Sequence, residues 1–454
     1  MASSAPETRP SKSPSPISSS KIGAVNSNRR DFFKSAATAA LTTQIFTGNL
    51  RGANDKLSAA FIGMGKMGRS NLSAAMRQEN VVVSAVCDVF DRNLDLAVAA
   101  TKGQAKGVRD FREILADKSI DIVCISTPDH WHAYMTVEAC KAGKDVYVEK
   151  PICVTVDEGV KMVQAARKYK RVVQAGTMQR SAVHFAKAVE IVRSGQLGKV
   201  TFVRTWNYGH AEPAGFGNPP DSDPPATLNW DMWLGPAPKR AFNANRFGVD
   251  PADKYFSNFR YFWDYAGGMM TDWGVHWLDI VQWAFNEQMP ESIAAMGSRF
   301  YLQDNRETPD TLQVTYEYPG CIAVYENREN NSQSMFQKSG GILFHGDKGT
   351  LYVDRSGYQV IPERGSTLEP SEMKSTSGGN REHWSNFLEC VHTREQPTSD
   401  IEKCQHSTTT CLLGNVALRS KLRVDFDAAK WTVAQSEAKK YLTREYRKPW
   451  KLVV

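Results

Sequence analysis

The sequence predicts an α/β protein in which an N-terminal parallel sheet is followed by a second α/β domain built on a large, mostly antiparallel sheet. Three observations predict it. Between residues 57 and 175, short apolar runs alternate with helical stretches, as parallel strands joined by crossover helices require. Between residues 293 and 360, apolar and polar residues alternate, for example over 311 to 316 and 321 to 326, which suits antiparallel strands with one wet face. At 454 residues and 41% hydrophobic, the chain is too long for one ordinary core and apolar enough for two.

The chain opens on residues 1–20, mostly Ser, Pro, Lys and Ala, which are expected to be disordered because they cannot bury enough surface to offset chain entropy. Asn28-Arg29-Arg30-Asp31-Phe32-Phe33-Lys34 then precedes a mildly apolar run too short to span a membrane comfortably. This segment, 21–53, resembles a twin-arginine export signal; a basic amphipathic helix is the alternative. The resemblance implies the twin-arginine translocation machinery as a partner and an exported, periplasmic or cell-envelope location. No clean A-x-A cleavage site lies near residues 50–53, so the segment is either cut or kept as an anchor.

Charge narrows the partners. Residues 1–53 carry seven Lys/Arg and two Asp/Glu, so five of the seven net positive charges lie there and the remainder is near neutral. A nucleic-acid footprint needs a clustered basic face, and none is expected. The eight cysteines include no C-x-x-C pair, and Cys87 and Cys124 sit in apolar strand-like runs, so all are read as reduced core residues.

The first domain, expected over residues 54–175, starts with a strand over 57–62. That strand turns through Gly63-Met64-Gly65-Lys66-Met67-Gly68 into a helix ending near Arg77. Strand, G-x-G-x-x-G and helix form the opening of a Rossmann unit: glycines let backbone N–H groups approach a pyrophosphate, and the helix N-terminus stabilises its charge. A second strand over 81–87 ends at Asp88, twenty residues beyond Gly68, where a carboxylate can accept hydrogen bonds from the adenosine ribose. A fixed carboxylate repels a 2′-phosphate, which favours NAD; Arg92 softens that preference and leaves NADP as the lesser alternative.

Further strands over 120–126 and 145–148 run into Thr127-Pro128-Asp129-His130-Trp131-His132 and Glu149-Lys150-Pro151. Both motifs fall at carboxyl ends of parallel strands, the edge where open α/β sheets bind ligands. His130 and His132 lack a third ligand nearby in sequence, and no metal site is expected.

Together with Gly267-Gly268-x-x-x-Asp272-x-Gly274-x-His276-x-x-Asp279, these motifs resemble the Gfo/Idh/MocA family, which includes glucose-fructose oxidoreductase and inositol dehydrogenase. The similarity runs from about Lys56 to the C-terminus. It implies a dinucleotide held by Gly63, Gly65, Lys66, Met67, Gly68, Asp88, Arg92, Thr127, Pro128, His132, Glu149, Lys150 and Gln179. It also implies Lys150 beside the nicotinamide ribose and the reacting hydroxyl, faced by Asp272 and His276 from a second domain over 176–454. Several inositol dehydrogenases carry Asp directly after the His; here Trp277 stands there, which puts an inositol-type substrate in doubt.

A helical pattern over 269–285 places Asp272, His276 and Asp279 on one face. His276 could take the hydroxyl proton, Asp272 would orient it or support its charged form, and Lys150 would stabilise the developing alkoxide. The alternative for each residue alone is structural: a carboxylate answering the helix dipole, or a bonded core histidine.

A strand over 171–175 leads into Gly176-Thr177-Met178-Gln179-Arg180, where Gln179 and Arg180 resemble positions that reach the nicotinamide and the substrate. Aromatic residues are dense between Trp206 and Trp273, including Trp230, Trp233, Tyr255, Phe256, Tyr261, Trp263 and Tyr265. They suit sugar C–H faces, an oligomer interface or loop packing equally; Tyr265 is taken as a substrate residue. Helical runs over 383–392 and 404–418 are expected to cover the sheet. Relatives commonly assemble through this domain, so a homo-oligomer is expected.

Free nicotinamide cofactor is scarce outside the cytoplasm, and the twin-arginine route carries folded, cofactor-loaded proteins. The sequence therefore suggests a tightly held, recycled NAD acting on a hydroxyl of a sugar or sugar derivative. Two other readings stand beside it: a glycosidase working through transient oxidation, whose family branch commonly lacks the E-K-P signature retained here, and a non-catalytic dinucleotide-binding protein.

Overall fold

In the computed structural model the described residues are 56–248 and 257–454; the expected leader, the export signal, Tyr255 and Phe256 lie outside them. Strands β1 (Leu57–Ile62), β2 (Val81–Cys87), β3 (Lys106–Val108), β4 (Ile122–Ile125), β5 (Asp145–Val148) and β6 (Val173–Ala175) form one sheet in the order 3-2-1-4-5-6. Every neighbouring pair is parallel. β4 and β5 are buried at every residue, which is why they read as unbroken apolar runs: helices cover both faces. Strand order reverses at β1 and β4, opening the crevice where such sheets take dinucleotides.

The second sheet has ten strands: β7 (Val200–Tyr208), β8 (Ser292–Ser298), β9 (Thr311–Tyr318), β10 (Cys321–Arg328), β11 (Gly340–Gly346), β12 (Gly349–Asp354), β13 (Gly357–Pro362), β14 (Ser371–Lys374), β15 (Val424–Asp427) and β16 (Thr432–Val433), in the order 14-13-12-11-7-10-9-8-15-16. It is mixed and mostly antiparallel; β7 and β10 run parallel. In β9 the even-numbered residues Leu312, Val314, Tyr316 and Tyr318 are buried and their neighbours are not, so the period-two pattern marks the inner face. The helices Gly274–Ala284 and Ile401–Ser420 pack beside one another against that sheet.

The expected helix over 269–285 is instead two, Gly268–Asp272 and Gly274–Ala284, parted at Trp273. The His276 amide bonds the Trp273 carbonyl, an i to i−3 closure at the junction. Asp272 and His276 still line the same cavity.

Late chain completes the first sheet. The helix Asn380–Thr393 lays Trp384 on Tyr147 of β5, rings stacked with centroids 4.8 Å apart, and sets Phe387 against the same ring. Near the C-terminus Trp450 meets Trp131 edge-on at 4.9 Å, and Arg444 pairs with Glu158 at 2.7 Å. All eight cysteines are buried and unpaired. No described helix is long and apolar enough to cross a membrane.

Candidate active site

A cavity of about 580 Å³ opens at the carboxyl ends of β1, β2, β4 and β5 and is closed opposite by residues of the second half of the chain. Its floor is the glycine loop. Gly63 has φ +84°, and a Cβ there would sit 2.6 Å from the Thr127 amide nitrogen. A Cβ on Gly68 would fall 1.9 Å from the Gly63 carbonyl oxygen, so only glycine lets the helix Lys66–Ala75 abut the loop. Above Gly65 nothing lies within 4 Å of such a position. The three glycines therefore divide the labour of turn, open approach and close packing that pyrophosphate binding requires.

Asp88, directly after β2, lines the cavity beside the glycine loop. It accepts from the amides of Met64 at 2.7 Å and Phe90 at 2.9 Å, and burial pushes its carboxyl up to about 6. Asn93 lines the cavity beside it, whereas Arg92 does not. Thr127, Pro128 and Glu149 also line the cavity. The Thr127 hydroxyl is buried without a hydrogen-bond partner, a donor left for a ligand. Glu149 accepts from Asn71 at 2.8 Å and is raised by burial. His132 lines the wall, but its ring nitrogens meet the carbonyls of Pro151 at 2.7 Å and Thr127 at 2.8 Å. It ties the two strand-end motifs together. The glycine loop, the carboxylate after β2 and the orphan hydroxyl fit a nicotinamide dinucleotide.

At the other end Lys150 donates to the Asp272 carboxylate at 2.7 Å and to the Asp272 carbonyl at 3.0 Å. Arg260 approaches the second carboxylate oxygen at 3.3 Å. Burial alone would raise Asp272, but the charges of Arg260 and Lys150 outweigh it and hold the carboxyl at about 2. Asp272 thus serves the two cations, and support of a charged His276 is corrected: burial first, then Lys150 and Arg355, hold the imidazole well below its usual range. His276 lines the cavity with Nδ1 buried and unpartnered.

Sequence reasoning missed two charged residues at this end. Arg260 stands in a single 3₁₀ turn, Asn258–Tyr261, too short to show a periodicity in sequence. Asp129, the first residue of the helix Asp129–Lys141, is buried in the cavity wall and pushed up to about 7, chiefly by burial. Its position directly after Thr127-Pro128 was the available signal.

Three expected contacts are corrected by placement. Gln179 sits behind the wall: it donates to the His276 carbonyl at 2.8 Å and accepts from Arg355 at 3.0 Å. Arg180 is buried outside the cavity, bonded to both oxygens of Asp279 at 2.9 Å and to Glu287 at 2.8 Å. A fork already filled by two acids has no donors left for substrate. Asp279 is therefore turned from the cavity, unlike Asp272 and His276 on the same helical face. Tyr265 is fully buried in an apolar cluster with Leu228, Trp230, Trp233, Phe242 and Phe247, so loop packing claims it; Trp233, Phe247, Phe259 and Tyr261 reach the cavity instead. Among the described residues no group of His, Cys, Asp or Glu side chains is placed to hold a metal ion.

Comparisons agree with this geometry. The family model for the oxidoreductase NAD-binding Rossmann fold matches residues 57–177, and that for the oxidoreductase C-terminal α/β domain matches 182–452. Inositol 2-dehydrogenase of Salmonella paratyphi B is 31% identical over 154 residues, 34% of this chain and 46% of that protein. A glycosyl hydrolase family 109 protein of Shewanella sp. is 31% identical over 158 residues, 32% of this chain and 34% of that protein. The chain thus spans less than half the length of these curated relatives. The WlbA dehydrogenase from Bordetella pertussis, in complex with NADH and UDP-GlcNAcA, superposes with a TM-score of 0.61 at 18% identity, covering 82% of this chain and 99% of that one. A levoglucosan dehydrogenase complexed with NADH gives 0.62 at 16%, covering 82% and 99%. Such identities speak for the fold alone, but with both family models covering the chain from β1 to its last residues, this protein belongs to the Gfo/Idh/MocA oxidoreductase family.

Proposed function

We propose that this protein is an NAD-dependent oxidoreductase acting on a CH–OH carbon of a sugar or sugar derivative, with its dinucleotide retained between turnovers. One observation carries the reading: Lys150 from the first half of the chain, and Asp272 and His276 from the second, share the wall of a cavity that continues to the glycine loop.

Gly65, Lys66, Met67, Asp88, Thr127 and Pro128 would hold the dinucleotide, which supplies the hydride acceptor when bound. Lys150, pinned by Asp272, is pre-aimed as a donor to the reacting oxygen, so alkoxide character is stabilised without reorganisation. The neutral His276 accepts the hydroxyl proton. A weak base suffices, because the oxygen becomes strongly acidic as hydride departs its carbon. Burial, then Lys150 and Arg355, keep the imidazole neutral before the substrate arrives and so able to accept.

Retention is supported by a strap across the adenosine end. The Asn229 amide donates to the Val89 carbonyl at 2.9 Å, and the Asp91 amide donates to the Thr227 carbonyl at 3.0 Å, an antiparallel bridge directly after Asp88. On this reading the bridge fixes the cavity wall at Val89 against the segment around Leu228. Export of the loaded protein by the twin-arginine route, with the signal cut or kept, belongs to the same proposal and rests on residues 28–34. Assembly into a homo-oligomer belongs to it too.

A second reading, a redox-neutral glycosidase, is favoured by the identity to a family 109 protein; retention of Glu149-Lys150-Pro151 ranks it below the first. The deciding measurement is the absorbance of the purified protein near the reduced-nicotinamide band as sugars are added singly. Growth or bleaching of a bound signal supports oxidoreduction. Release of aglycone from a chromogenic glycoside without such a change supports the glycosidase, and silence in both overturns each.

A further inference from the structure

The substrate end of the cavity carries three cations, Lys150, Arg260 and Arg355, and one of them is not answered by an acid. Asp272 is divided between Lys150 at 2.7 Å and Arg260 at 3.3 Å. Arg355 lies at the turn between β12 and β13, where its own neighbour Asp354 is turned back: that carboxylate accepts from the Ser356 amide at 2.8 Å and faces Lys338 at 3.7 Å. Among the described residues no carboxylate forms an ion pair with Arg355.

The guanidinium is nevertheless held in place. Its Nε donates to the Gln179 side-chain oxygen at 3.0 Å, and its plane lies over the Trp273 ring, 4.7 Å from the centroid. A cation–π contact and one hydrogen bond fix the fork while leaving its terminal Nη donors without a hydrogen-bond partner among the described residues. Gln179 in turn grips the His276 carbonyl at 2.8 Å, so the fork and the imidazole are set by the same amide. Burial pulls the Arg355 pKa downward, and Asp272, which forms its ion pairs with Lys150 and Arg260, offsets this in part from a distance.

We propose that Arg355 reads a carboxylate on the substrate, so that the sugar oxidised is a sugar acid whose carboxylate docks on the Nη pair while its hydroxyl meets Lys150 and His276. Two parallel Nη N–H donors suit the two oxygens of a planar carboxylate, and a hexose 6-phosphate tests the tetrahedral alternative. This rests on the oxidoreductase reading above and specifies its substrate class. Trp273 and Gln179 are positioning residues for the fork.

The test uses the full-length, cofactor-loaded protein and a panel of hexuronates, each with its uncharged uronamide, its parent hexose and the hexose 6-phosphate. Turnover or bound-nicotinamide absorbance is the readout. Wild type should favour acid over amide in kcat/KM by roughly 30-fold or more, the scale of a charge-assisted bidentate pair. Arg355→Gln should shrink that ratio to within about threefold, and Arg355→Lys, which keeps charge but not the fork, should fall between. Equal rates on acid and amide, a ratio that persists in Arg355→Gln, or preference for the phosphate would overturn the assignment while leaving the oxidoreductase intact. A loaded protein whose nicotinamide responds to no sugar would overturn both.

Discussion

Lys150 and Asp272, 122 residues apart in sequence, meet through a 2.7 Å hydrogen bond between ammonium and carboxylate, and the same ammonium bonds the Asp272 carbonyl at 3.0 Å. One lies beyond the end of β5 and the other at the end of a helix that begins at Gly268. Lys150→Met should keep the apolar stem and lose the donor, lowering kcat by about a thousandfold. Dinucleotide affinity, measured by fluorescence titration, should move less than threefold, because the glycine loop and Asp88 are untouched. Near-normal turnover would remove Lys150 from the chemistry.

Asp129 makes the cofactor-free protein sensitive to pH. Its carboxyl is raised, chiefly by burial, to about 7 against an ordinary value of 3.8. A raised acid contributes its full stability below the unfolded pKa and loses it as pH climbs through the folded one, so the loss runs from about pH 4 to pH 7. Asp129→Asn should therefore leave stability nearly as in wild type at pH 4 and raise it by roughly 4 kcal/mol at pH 8. Equal effects at both pH values would show that the group is not buried as described.

The strap offers a clean probe of cofactor retention. Asp91 is the first residue of the helix Asp91–Ala100, a position proline tolerates, and Phe90 before it is already extended. Asp91→Pro deletes the amide that bonds Thr227, and should speed dinucleotide release roughly three- to tenfold, as expected for one lost hydrogen bond. Asp91→Ala keeps that amide while losing the exposed Arg109 partner, and should release at nearly the wild-type rate. Stopped-flow displacement separates the two.

Cofactor choice should turn on Asp88. Asp88→Ser removes the carboxylate that receives the Met64 and Phe90 amides and would face the ribose. NAD affinity should fall about tenfold or more, and discrimination against NADP should shrink, because the repulsion of a 2′-phosphate goes with the charge. Preference unchanged in titrations of both dinucleotides would place ribose recognition elsewhere.

Arg180 separates a buried ion pair from a substrate contact. Arg180→Met leaves Asp279 buried beside Ser407 without its guanidinium and should cost roughly 3–5 kcal/mol in chemical unfolding. The folded fraction should show a KM for sugar within about threefold of wild type, since Arg180 does not line the cavity.

Much of the first sheet was legible because its signals are local. The bounds of β1, β2 and β5 follow from apolar runs ended by glycine or acid, and the glycine loop announces its own geometry. β7 was not legible: it is central and its pattern is broken by aromatic and polar residues that only its neighbours β10 and β11 accommodate. Gln179 and Arg180 looked alike as polar residues at a strand end, yet one braces the cavity wall and the other fills a buried acid pair. Their roles depend on Arg355, Asp279 and Glu287, all at least 99 residues away.

By itself the sequence determined where this chain can turn tightly, which strands need cover on both faces, and which residues can carry charge or a proton beside a dinucleotide. Those properties belong to single residues and short spacings. Tertiary structure alone decided that Asp272 answers Lys150 and Arg260 rather than His276, that Trp384 and Trp450 finish the first domain's packing, and that Arg355 is left facing the cavity. Each of these depends on which distant groups share a low-dielectric space, and in such a space it is the neighbours that set whether a charge is paired, displaced or left waiting for a ligand.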